Sequence, residues 1–204
     1  MKMKLYSSKT SPFARKVRVL AEELKLTDLI EEVQTDPFNP STEFLAANPL
    51  SKIPTMITEK GEVLPDSGLI AEYLMTRGPS GVSSLPRGTK RWAALRRACV
   101  AEGIMEAAVA TIFEKRRPES IIYTTFLDRQ AQVIRRGAEM LNLEASALAD
   151  DTPGIVEITT GVALAYLDFR LPYIDWRNSN DALLAWFEKF AQRPSMINTQ
   201  PPAA

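Results

Sequence analysis

The stretch Lys2-Met3-Lys4-Leu5-Tyr6-Ser7-Ser8-Lys9-Thr10-Ser11-Pro12-Phe13-Ala14-Arg15-Lys16-Val17-Arg18-Val19-Leu20 decides the fold, because its period changes partway through. Lys2 to Ser7 alternates polar and apolar, which predicts a short strand. From Ser11-Pro12 onward Phe13, Val17, Leu20 and Leu24 share one helical face. Strand, loop and helix therefore follow within the first 24 residues. Glu31 to Thr35 predicts a second strand, and Thr42 to Ala47 a short helix stopped by Asn48-Pro49, since the residue before proline avoids the helical region. Thr55 to Thr58 and Glu62 to Leu64 flank Lys60-Gly61 as a hairpin. Pro65-Asp66-Ser67 starts another helix with Leu69, Ile70, Tyr73 and Leu74 apolar and Asp66 or Ser67 as cap. The order β-α-β-α-β-β-α reads as an α+β layer with a mixed sheet.

Residues 78–88, Gly-Pro-Ser-Gly-Val-Ser-Ser-Leu-Pro-Arg-Gly, are the richest Gly, Pro and Ser stretch and predict a linker. Beyond it Thr89 to Arg116 and Glu119 to Glu144 are long helical segments divided at Pro118, and shorter ones cover Ile155 to Phe169 and Asp181 to Gln192. The expected division is residues 1–77, the linker 78–88, and an all-α domain over 89–204. The tail at Pro201-Pro202 is expected to fray.

Composition removes whole classes of chemistry. The chain has 204 residues, no His and one Cys, which excludes Ser-His-Asp and Cys-His nucleophile pairs, histidine-bearing zinc sites and two-cysteine redox motifs. Its 25 basic and 25 acidic residues cancel, and over residues 1–77 the balance is 10 against 11, so no general polyanion partner is indicated. No apolar run approaches the roughly 18 residues of a membrane span, and a soluble, cytoplasmic protein is expected. None of the nine glycines forms a nucleotide-binding loop.

Ser11-Pro12-Phe13 admits two readings. A serine hydroxyl caps unpaired amides and proline at the first helical position loses no hydrogen bond, so the segment is complete as a helix cap. The same amides and the positive helix end form an anion site when they lie at a cleft. Arg15 and Lys16 add slight support for an anion, and solvent exposure explains them equally. Asn48-Pro49-Leu50-Ser51-Lys52-Ile53-Pro54 reads alone as a loop, and Asp66-Ser67 as a second cap. Two helix starts and a proline-broken strand converge in one small layer. Cys99 sits in the first long helix and is expected as a small core residue. Met105, Val109, Ile112 and Phe113 have core spacing, and Arg87, Lys90, Arg91, Arg96, Arg97 and Lys115-Arg116-Arg117 read as an ion-paired helix surface.

Ser11-Pro12-Phe13-Ala14-Arg15-Lys16-Val17-Arg18, Asn48-Pro49 with Lys52-Ile53-Pro54, and Asp66-Ser67-Gly68-Leu69-Ile70-Ala71-Glu72-Tyr73-Leu74 together resemble the N-terminal signature of cytosolic glutathione S-transferases. Tyr166-Leu167-Asp168-Phe169-Arg170 and the helical half resemble the same group, closest to small bacterial members of serine type. The resemblance implies a thioredoxin-like domain followed by an all-α domain, a homodimer, a role in detoxification, and glutathione as co-substrate without a metal. It assigns Ser11 to the glutathione sulfur and Ile53, before a cis-Pro54, to the cysteinyl main chain. Asp66 and Ser67 fall to the γ-glutamyl group. A small apolar electrophile would be the second substrate, with isomerase, dehalogenase, reductive cleavage and peroxide reduction also represented in the group. The alternative is the same fold acting as a binding or regulatory module without transferase activity. Relatives often carry glycine where Ser51 stands, and a Ser/Thr-x-x-Asp capping box where this chain has Gly154-Ile155-Val156-Glu157. Glu157 is expected to keep the return bond of that box.

Overall fold

The computed structural model describes residues 2–78, 85–149 and 151–202. They form two compact units: the chain up to Gly78 together with the chain from Pro194, and Leu85–Arg193. Within the predicted linker, residues 79–84 lie outside the described residues.

The first unit is built on a four-stranded mixed sheet in the order β2-β1-β3-β4. Strand β1 (Met3–Ser7) pairs in parallel with β2 (Ile30–Gln34) and antiparallel with β3 (Thr55–Ile57), which pairs antiparallel with β4 (Val63–Pro65). Pro65 has no N–H to donate and ends an edge strand, where that loss is tolerated. The hairpin turns at Gly61, whose φ of 86° suits glycine, and Thr58 N–H donates to Glu62 O at 2.8 Å. Three helices cover the sheet: α1 (Pro12–Glu23), α2 (Thr42–Ala47) and α3 (Ser67–Arg77). Side chains alternate along β1, so Leu5 faces α1 while Tyr6 packs at a tilt against Phe44 of α2 with ring centroids 5.1 Å apart. On that second face Glu43 accepts from Lys4 Nζ at 2.8 Å and Tyr6 Oη at 2.9 Å. Those two donors hold the Glu43 carboxyl below the ordinary carboxylate range. Leu5, Val17, Leu20, Phe44, Met56, Ile70 and Leu74 form the buried core.

Of the two accounts of Arg15 and Lys16, solvent exposure does not hold: they are 7% and 2% exposed. Arg15 Nη2 donates to Met196 O at 2.9 Å and its Nε to Thr199 Oγ1 at 3.4 Å. Burial, with Arg18 nearby, pushes its guanidinium down to about 10. The segment ahead of the Pro201-Pro202 tail is tied down through Thr199. It forms a short helix, Pro194–Asn198, against α1, with Asn198 Nδ2 donating to Glu22 Oε2 at 3.1 Å.

The second unit contains α4 (Thr89–Lys115), α5 (Thr124–Leu143), α6 (Ile155–Arg170) and α7 (Asp181–Phe190). Glu119–Ile121 is a single 3₁₀ turn rather than the start of α5, because Ile122 is extended and Tyr123 N–H is tied back to Glu114 at 2.8 Å. Helix α6 is apolar nearly all round, as a helix packed on several sides must be, and Ile158, Val162, Leu164 and Leu167 are fully enclosed. At Gly161 a Cβ would lie 2.3 Å from the Phe190 ring, so only glycine lets α7 approach. Glu157 does keep the return bond, accepting from Gly154 N–H at 2.8 Å and also from Ala149 N–H at 3.1 Å. Asp168 accepts from Trp176 Nε1 at 2.9 Å and from both Nη atoms of Arg177 at 2.6 Å, closing the chain after α6. A thioredoxin-like layer followed by an all-helical unit is the architecture.

Candidate glutathione site on the sheet edge

Register alone brings the three motifs of the first unit together. Tyr6 pairs with Thr55, Thr55 pairs with Pro65, and Ser7 pairs with Gln34. The C-terminal ends of β1, β2 and β4 and the N-terminal end of β3 therefore share one edge of the sheet. Ser11 follows β1, Ile53-Pro54 precedes β3 and Asp66-Ser67 follows β4, so all three emerge there. From β1 to β4 is two strand spacings, about 10 Å.

Ser11 is the N-cap of α1, with extended backbone at φ −78° and ψ 125°. Its Oγ accepts from Ala14 N–H at 3.3 Å, and Arg15 N–H donates to its carbonyl at 3.0 Å. Among the described residues nothing accepts its hydroxyl proton, and the side chain is half-buried rather than packed into the interior. Proline at the first helical position sacrifices no bond there. Both sequence readings of the segment therefore survive: the oxygen caps the helix while the proton remains to be donated.

The Ile53–Pro54 peptide is cis. Among the described residues neither the N–H nor the C=O of Ile53 meets a hydrogen-bond partner. The loop is held from beneath by Asn48, which is 1% exposed. Its Nδ2 donates to Lys52 O at 3.0 Å and Thr55 Oγ1 at 2.9 Å, and its Oδ1 accepts from Leu50 N–H at 3.0 Å. The sequence marks Asn48 as the end of α2 and the head of this loop; its amide is the brace. Ser51 stands in the left-handed region at φ 51°, which accounts for the glycine of many relatives, and its Oγ donates to Pro37 O at 2.9 Å.

Asp66 is the N-cap of α3 at φ 87° and ψ 136°, a sparsely populated conformation for a residue with a Cβ. Its Oδ1 accepts from Gly68 N–H at 2.7 Å and Leu69 N–H at 3.4 Å, and among the described residues no partner takes Oδ2. The carboxylate is exposed, whereas Ser67, the first residue of α3, is buried. The edge thus offers one carboxylate, one hydroxyl donor, an unpaired main-chain amide and carbonyl, and the positive ends of two helices.

Other candidates fall elsewhere. Arg15 binds the C-terminal segment and is not a ligand for an anion at the start of α1. Cys99 is exposed on α4 rather than in the core. Met105 is core as expected, while Phe113 is exposed. The basic helix surface is ion-paired in part: Arg96 and Arg97 both reach Glu144, the latter at 3.0 Å, and Arg117 reaches Glu114 at 3.2 Å. Among the described residues no group of His, Cys, Asp or Glu could hold a metal ion, and no helix is long and apolar enough to cross a membrane.

Comparison with known proteins gives the family. Residues 10–77 match the family described as glutathione S-transferase, N-terminal domain, and residues 124–189 match glutathione S-transferase, C-terminal domain. The chain is 34% identical to the uncharacterised GST-like protein YibF of Escherichia coli K12, over 99% of this chain and 100% of that one. A glutathione transferase family member from Pseudomonas fluorescens Pf-5, solved with bound glutathione, is 33% identical with a TM-score of 0.89, covering 99% of this chain and 100% of the other. A glutathione S-transferase from Methylobacillus flagellatus KT, also with glutathione bound, is 32% identical with a TM-score of 0.88, covering 98% and 100%. The chain belongs to the glutathione S-transferase family.

Proposed function

We propose that the protein binds glutathione at this sheet edge and transfers its thiolate to a small apolar electrophile. The observation that carries the reading is the convergence, by strand register, of an unengaged Ser11 hydroxyl proton, the unpaired Ile53 main chain and the exposed Asp66 carboxylate. Each group fits one part of the tripeptide. Asp66 faces the γ-glutamyl ammonium and Ser67 its carboxylate, Ile53 pairs with the cysteinyl amide and carbonyl, and Ser11 donates to the sulfur. Relatives solved with glutathione bound support the choice of ligand.

Ser11 attacks nothing. A free thiol with a pKa near 8.5 is only a few per cent ionised at neutral pH, so a hydroxyl donor plus helix-end amides that favour the anion raise the nucleophile's population. Neither histidine nor metal is required. The enzyme is further read as a cytoplasmic homodimer acting in detoxification, with residues 1–77 as the glutathione-binding domain, 78–88 as linker and a helical domain from 89 on, whose expected end at 204 gives way to 193 because the chain from Pro194 packs with the first unit.

A titration of thiolate absorbance for bound glutathione tests this. The wild-type protein should ionise the thiol about one to two pH units below its free value, and Ser11→Ala should return it upward. A titration identical in both proteins would leave the rival reading, a binding module of the same fold.

A further inference from the structure

The loop of residues 8–10, which carries the chain from β1 to Ser11, is weakly held from within. Ser11 N–H donates to Ser8 O at 3.2 Å and Thr10 N–H to Ser8 Oγ at 3.4 Å, and the Ser8 and Thr10 hydroxyls lie 3.3 Å apart, all at the long end of hydrogen-bond range. A charged brace is added from outside. Arg18, in the second turn of α1, reaches back so that its Nη2 donates to Lys9 O at 3.3 Å, and its Nε stands 3.8 Å from Oε1 of Glu32 on β2. That same Glu32 oxygen accepts from Oγ of Ser7, the last residue of β1. Ser7, Glu32, Arg18 and Lys9 thus form one chain that runs from the end of β1 through β2 and α1 and closes on the loop.

Stability alone does not account for this arrangement. Ser7 is fully enclosed and the Arg18 side chain is 14% exposed, and taking a guanidinium out of water is costly. Among the described residues Arg18 Nε has no hydrogen-bond partner, so its pairing with Glu32 is Coulombic alone, and burial lowers its pKa against the pull of Glu32 and Glu22. An apolar side chain of similar length would pack there, beside Leu5 and Ala21, at lower cost. What the ionic chain adds is direction. It fixes where the loop leaves β1 relative to the first turn of α1, and a hydroxyl donor is effective only within a narrow range of distance and angle.

We propose that Arg18 and Glu32 are positioning residues for the thiolate chemistry, aiming the Ser11 hydroxyl at the glutathione sulfur through Lys9 and Ser7. The inference rests on the reading of Ser11 given above, and neither residue is assigned a contact with the ligand.

Titration of thiolate absorbance for bound glutathione in Arg18→Gln, Glu32→Gln and the double variant tests it by sign. If the two charges acted on the thiol directly, loss of the cation would raise its pKa, loss of the anion would lower it, and the double variant would cancel the two. A displaced hydroxyl raises it in all three. Each single variant should ionise the thiol about half a pH unit above the wild-type protein, about a threefold loss of thiolate at neutral pH, and the double variant should rise no further because both residues hold one loop. Arg18→Lys, which keeps the charge without the fork that spans Lys9 and Glu32, should recover only part of the shift. Arg77→Gln, which breaks the pair with Glu59 at the end of α3, should leave the titration unchanged. Melting temperatures measured in parallel report the structural share. Opposite shifts in the single variants, a cancelled shift in the double variant, complete recovery in Arg18→Lys, an equal shift in Arg77→Gln, or a lowered melting temperature with an unmoved thiol would each overturn the assignment. A wild-type protein that ionised bound glutathione at its free value would instead remove the reading of Ser11, and this inference with it.

Discussion

Ser11 and Asp66 stand on the same edge of one sheet and do the same local work, accepting amide hydrogens at the start of α1 and α3, yet their backbones differ. Ser11 caps from an ordinary extended conformation, φ −78° and ψ 125°. Asp66 caps from φ 87° and ψ 136°, which costs about 1–3 kcal/mol for a residue with a Cβ. Glycine would adopt that conformation without strain and caps only a few tenths of a kcal/mol less well. Local stability therefore explains a serine at 11 and does not explain an aspartate at 66. A capping bond is sufficient reason for the first residue; the second calls for a use of its charge, which the proposed ammonium contact supplies.

A third helix start, that of α6, shows what capping alone looks like. Glu157 is buried, and both its carboxylate oxygens are consumed by Gly154 and Ala149 amides. Glu157→Ala strands two amides and should destabilise the protein by about 2–4 kcal/mol in denaturant unfolding while leaving the glutathione affinity of the folded fraction unchanged. Ser11→Ala should behave in the opposite way. Losing one neutral cap costs about 1 kcal/mol of stability, whereas conjugation of glutathione to a nitroaryl chloride should fall about 8- to 25-fold in kcat/KM at neutral pH, following the thiolate population. If that variant lost stability and kept activity, Ser11 would be a cap like the others.

Asp66→Gly separates the two roles within one residue. Calorimetric glutathione affinity should weaken by about 1–3 kcal/mol through the lost charged bond. The unfolding midpoint should hold or rise, because the strain goes with the side chain. A parallel loss of stability would mean that the carboxylate serves the helix and not a ligand.

How much of this was legible before the structure follows from where each determinant lies. Thr42–Ala47 is read to the residue, because Asn48-Pro49 stops it, a local signal. The chain of β and α elements up to α3 follows equally from short-range period and turn chemistry. For Arg15 and Lys16 an anion and solvent exposure were equal accounts, and neither holds for Arg15, since what buries it is a carbonyl 181 residues away, and no window of sequence contains it. The exposure of Cys99 and the return of Pro194–Asn198 to α1 are tertiary in the same sense. Of the site, the caps were legible from residue types, whereas their meeting on one edge depends on the register of β1, β3 and β4. Periodicity does not set that register, and it reached the sequence reading only through resemblance to a family.

Ser51 extends the comparison to a residue where strain and bonding nearly balance. It holds φ 51° like a glycine, and its hydroxyl donates to Pro37 O. Ser51→Gly removes a left-handed penalty of about 1 kcal/mol and a hydrogen bond of about the same worth, so its denaturant midpoint should correspond to a change within about 0.5 kcal/mol. Ser51→Ala keeps the penalty and loses the bond, and should be destabilised by about 1 kcal/mol. The gap between the two variants measures the backbone cost directly. If they fell together, residue 51 would relax out of the left-handed region once the hydroxyl is gone, and the bond to Pro37 would be the cause of that conformation rather than its compensation.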